Sequence, residues 1–226
     1  MEISAIESAM AAAGTSLADG GGLSGTGFWP AVASVKRTPD LVERYADRIA
    51  AIDHGAFENW AAYKVPLHPG TTLMGFGTLM GLGLVWAAYY LEEVWALLSF
   101  FAGVGVLLVT THGLAHLLVG TIVGIGFTGW FIGTWKQPQP GVKVDYSTYL
   151  RVTASKRAWM HAAGAITTKL LPFLLIGAAV YSPLPGWTIW VLIGIGVVAS
   201  VTDIVWSTKS SDWKKYRREM EFAQTS

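Results

Sequence analysis

The 226-residue chain contains no cysteine. That excludes disulfides, thiolate catalysis and Cys-ligated metal, so any metal would have to be held by histidine and carboxylate. Charge is also scarce. Asp, Glu, Lys and Arg make up 14% of the residues against 52% hydrophobic, too few to cover a water-soluble globule of this size. Neither sign dominates: 16 Lys and Arg face 15 Asp and Glu, and a net charge of +1 gives no field that would draw nucleic acid, which is excluded as a partner. The opening Met1–Glu7 segment lacks the basic and apolar regions of a secretory signal. No cleavable signal is expected, and insertion falls to the apolar runs themselves. The lipid bilayer is the expected partner of most of this surface.

Along the chain, residues 1–37 are rich in Ala, Gly and Ser, with Gly20-Gly21-Gly22 and Gly25-Thr26-Gly27 and no sustained apolar period. This predicts a flexible N-terminal tail. Residues 38–65 read as an amphipathic interfacial helix, with Thr38 as cap, Pro39 in the first turn, and Leu41, Tyr45, Ile49 and Ile52 at helical spacing. Over 66–208 a four-helix transmembrane domain is predicted. Its spans run over Thr71–Leu91, Val94 to about Gly120, Ala158–Val180 and Trp187 to about Ser207. The apolar, Gly-rich piece Thr121–Gly133 is too short for a helical span and predicts a re-entrant or strand-like element after the second helix. Residues 209–226 complete the chain as a basic cytoplasmic tail. The expected fold class is therefore all-α integral membrane.

The basic residues give the orientation. Apart from Lys169, which lies inside the third run, every Lys and Arg precedes the first run, falls in the central 134–157 loop, or follows the last run. The turn at Glu92-Glu93 and the turn Tyr181–Gly186 carry none. By the positive-inside bias the N- and C-termini and the central loop are cytoplasmic, which requires an even number of passes.

Ionisable groups at membrane depth are costly, and each marks a candidate site. They are His112 and His116 in the second span, Lys169 in the third and Asp203 in the fourth, with His161 and Asp212 near the cytoplasmic ends. The sharpest pattern is Thr111-His112-Gly113-Leu114-Ala115-His116: histidines at i and i+4 share one helix face and can chelate one divalent cation. Asp203 or Asp212 is placed to add a carboxylate, the usual composition of a hydrolytic zinc site. His161 reads as an interfacial or core histidine beside this site, and Lys169 as a partner for Asp203, for a ligand or for the interface.

In the order of its segments, the stretch from Val94 to Arg218 resembles the site-2 protease family of intramembrane zinc metallopeptidases. The resemblance rests on His112-Gly113-Leu114-Ala115-His116, then Val123-Gly124-Ile125, then His161-Ala162-Ala163-Gly164-Ala165, and finally Thr202-Asp203-Ile204 through Ser211-Asp212-Trp213. It implies zinc on His112, His116 and one of the two aspartates, and a transmembrane protein as substrate or partner. Gly113 occupies the place of the family's general-base glutamate, and Ala165 that of a proline. The resemblance therefore implies either a degenerate intramembrane metalloprotease or a non-catalytic pseudoprotease, a membrane-complex subunit that binds a transmembrane partner or lipid in the same groove.

Overall fold

The structure, a computed structural model, describes residues 1–134, 140–205 and 211–225. Lys136 and Pro138 of the central loop, together with Ser207 and Lys209, lie outside the described residues.

Helices α1 (Ile3–Ala18), α2 (Phe28–Val35) and α3 (Pro39–Trp60) open the chain. Residues 1–37 are thus not a flexible tail. The apolar period is present but short: Ile6, Ala9, Met10 and Ala13 on α1, Phe28, Ala31, Val32 and Val35 on α2, and Val42, Tyr45, Ala46 and Ile49 on α3 repeat the same i, i+3, i+4, i+7 spacing and are buried together. The glycines that argued for mobility make the connection between α1 and α2. Gly20, Gly25 and Gly27 adopt φ near +75°, a region L side chains resist. On α3, Pro39 sits in the first turn as expected, whereas Thr38 makes no side-chain cap. The helix stops at Trp60, short of residue 65, and β1 (Tyr63–Pro66) follows.

Then come α4 (Leu67–Ala87) and α5 (Glu93–Ile122), an antiparallel pair. Pro69 and Gly70, expected outside the first span, lie in the first turn of α4, where proline forfeits no hydrogen bond. The pair packs closely because a Cβ at Gly103 would lie 2.7 Å from the carbonyl oxygen of Gly81. The expected strand-like stretch contains β2 (Phe127–Ile132). With β3 (Pro140–Val144) and β1 it forms an antiparallel sheet in the order β1-β2-β3, a small sheet within a mainly helical fold. After α6 (Tyr146–Arg151) come α7 (Ala154–Val180), α8 (Trp187–Val205) and α9 (Asp212–Thr225). The expected C-terminal tail is therefore helix from Asp212, packed on α7.

Two apolar cores result. One joins α1, α2, α3 and α6 to Ile125 and Met160; the other, built on Phe100, Leu107, Leu175 and Leu192, lies among α4, α5, α7 and α8. Among the described residues three helices, α4, α5 and α7, are long and apolar enough to cross a membrane; α8 holds a shorter apolar stretch, Trp187–Asp203. Their outward faces suit lipid: Phe76, Leu79 and Trp86 on α4 are 66%, 67% and 64% exposed.

Candidate metal centre

His112 and His116 project from one face of α5 toward α7. Their orientation is fixed from behind. The Nδ1 of His116 lies 2.7 Å from the carbonyl oxygen of Met160, which can only accept, so Nδ1 carries the proton. The Nδ1 of His112 lies 2.8 Å from Oγ1 of Thr168, whose own hydrogen goes to the Gly164 carbonyl, so this Nδ1 is a donor as well. Both imidazoles are thereby left with an Nε2 lone pair pointing forward, the tautomer that binds a metal. Small residues make the approach possible: a Cβ on Gly164 would sit 2.2 Å from Nε2 of His116.

The third member comes from the first turn of α9. Oδ2 of Asp212 lies 3.2 Å from Nε2 of His112 and 3.1 Å from Nε2 of His116, and the two Nε2 atoms are 3.3 Å apart. Three acceptor atoms thus form a nearly equilateral triangle. A proton shared within it relieves one edge, whereas a divalent cation relieves all three. For a tetrahedral zinc with ligand bonds of about 2.0–2.1 Å, neighbouring ligand atoms stand about 3.3–3.4 Å apart, so the triangle has the dimensions of one face of that tetrahedron. Among the described residues these three are the group able to hold a metal ion.

The other oxygen of Asp212, Oδ1, accepts from Nζ of Lys215 at 2.9 Å, one turn further along α9. Burial works to raise the Asp212 carboxyl and the charge of Lys215 works to lower it. The triangle opens onto a cavity of about 320 Å³. His161 and Lys215 line it, and across it stand Phe131 and β3, including Lys143, which is paired with Asp53.

The remaining candidates lie elsewhere. Asp203 does not join the histidines: its Oδ2 pairs with Nζ of Lys169 at 2.5 Å, which neutralises both charges. Lys169 also donates to the Ala165 carbonyl and stands over the Trp213 ring. His161 is not in the triangle; its Nε2 meets the Tyr149 hydroxyl at 2.9 Å. Gly113 is buried against β2, and a Cβ there would lie 2.5 Å from the ring of Trp130. Sequence reading missed Thr168, Lys215 and Glu219. The first two are ordinary helix-surface residue types, and only the i, i+3 spacing of Asp212 and Lys215 marked them as a pair.

No protein-family model, curated protein or solved structure matches the chain.

Proposed function

We propose that the chain is a multi-pass membrane protein with a site-2-protease-like core, carrying a divalent-metal centre, with zinc as the resident ion, on His112, His116 and Asp212. The carrying observation is the triangle of two preset Nε2 atoms and one carboxylate oxygen, 3.1–3.3 Å on a side and open to a cavity. Three protein ligands with a free position facing a cavity are the composition of a catalytic zinc site, which acidifies a bound water and polarises a carbonyl. In this reading α8 is the fourth span and both termini are cytoplasmic, in keeping with the basic residues that flank the apolar helices. The sheet is the re-entrant element. Trp130 of β2 reaches into the helical pair, packing on Gly70 of α4 and Gly113 of α5.

Hydrolysis here would rest on the metal-bound water, since the position next to His112 is filled by Trp130 and offers no carboxylate. That same packing favours the second reading, a metal-holding pseudoprotease that binds a transmembrane partner in the groove. Titrating the detergent-purified chain with Co²⁺ tests the metal centre. One equivalent should produce the visible absorption of a tetrahedral site, absent in His116→Ala; no absorption in the folded wild type refutes the centre. Cleavage of a transmembrane peptide by the zinc-loaded chain, abolished by a chelator, selects the hydrolase, and metal binding without cleavage selects the pseudoprotease.

A further inference from the structure

Glu219 is fully buried, an uncommon fate for a carboxylate, and it is surrounded. Lys36, the residue that follows α2, reaches its Oε1 at 2.5 Å, Arg157 of α7 reaches its Oε2 at 2.7 Å, and the Tyr149 hydroxyl donates to Oε1 at 3.0 Å. Lys36 is itself buried, and it lies over the rings of Tyr149 and Phe222. Burial raises the Glu219 carboxyl, yet the two cations bring it down to about 2, so the group is held ionised. Along α9, Glu219 is seven residues after Asp212. Seven residues are two helical turns, so the two carboxylates project from one face about 10 Å apart along the axis. One end of that face meets the histidines, and the other is bolted to the N-terminal helices and α7.

A short helix has two ways to misplace a ligand at its end: it can rotate about its axis or slide along it. A buried carboxylate tied to cations on two different elements blocks both. We infer that Glu219 is a positioning residue for Asp212, and that the N-terminal layer, through Lys36, sets the rotation and depth at which α9 delivers the third ligand to the metal. The inference rests on the metal-centre reading above. It assigns the first 37 residues a task in the site despite their distance from it in sequence.

The test is a zinc-affinity cycle on the full chain in detergent, with Zn²⁺ alone as the probe. Groups that orient metal ligands are worth about 10- to 100-fold in affinity. Glu219→Gln should weaken Zn²⁺ binding by about that factor, while in an Asp212→Asn background the same change should have no further effect. Because Glu219→Gln strands two buried cations and endangers folding, Lys36→Gln is measured beside it. That variant leaves the Arg157–Glu219 pair intact and should weaken Zn²⁺ severalfold, again only when Asp212 is present. Wild-type affinity in Lys36→Gln, or equal losses with and without Asp212, overturns the inference while leaving the metal centre standing. No Zn²⁺ bound by the wild type overturns both.

Discussion

A histidine can offer either ring nitrogen, and at this site the choice is made by the residues behind the ring: the Met160 carbonyl and the Thr168 hydroxyl oxygen accept from Nδ1–H, which keeps the proton there and turns Nε2 forward. Glycines make room for this, and their replacement is informative. Gly164→Ala places a methyl 2.2 Å from Nε2 of His116 without removing a ligand, so metal affinity should fall at least about tenfold while helix content is unchanged. Unaltered affinity in a zinc titration would refute the stated packing. Gly113→Glu, the change that would place a carboxylate beside His112, instead drives its Cβ into the Trp130 ring. Even Gly113→Ala should cost about 1–3 kcal/mol by overpacking, read as a lowered unfolding temperature, and Trp130→Ala should tolerate it. Of the site residues, His112 and His116 were legible from their i, i+4 spacing. The choice between Asp203 and Asp212 was not, because it depends on Lys169 capturing Asp203 across the α7–α8 contact.

At the level of elements, α9 is the least obvious part of the site and the one on which it depends. Its sequence, from Asp212 to Thr225, is dominated by charge and reads as a solvated tail; its docking rests on Glu219, Phe222 and contact with α7. Burial of a charged residue inside an ion-pair cluster leaves no periodic signature, which is why the segment was read only as a basic tail. The N-terminal helices were missed for a related reason. Their apolar stripes are two turns long and built partly of alanine, so composition outweighed period. Docking of α9 should also depend on acidity. Glu219 has a folded value of about 2, below its ordinary 4.5, so its contribution is complete above about 4.5 and is lost as the pH falls toward 2. The groups facing it are Lys36, Arg157 and Tyr149. Amide hydrogen exchange along α9 should therefore lose protection across that interval in the wild type, with no such step in Glu219→Gln. The same step in both would assign it to another group.

Over the whole molecule, two packed layers share one site: apolar helices that present large side chains outward, and a polar-faced cap made of α1, α2, α3 and α6. Hydropathy located the long helices to within a few residues, because an 18-residue apolar window is a coarse, additive signal. The three-stranded sheet was visible only as its middle strand; β1 and β3 are short, and β1 pairs with β2 across more than 60 residues of sequence. The absence of cysteine makes orientation straightforward to probe. With four spans, Glu92→Cys and Tyr181→Cys should react with an impermeant maleimide from outside, and Ser4→Cys and Gln224→Cys only after permeabilisation. Labelling of Ser4 and Gln224 from opposite sides would require an odd number of spans.

The metal centre is the claim on which the rest depends, and its most direct test is the metal content of the tag-free, detergent-purified chain by mass spectrometry. Near-stoichiometric zinc in the wild type and in Asp203→Asn, lost in His112→Ala, His116→Ala and Asp212→Ala, is the predicted result. Folded wild-type protein without bound metal, or zinc retained after loss of Asp212, would contradict it.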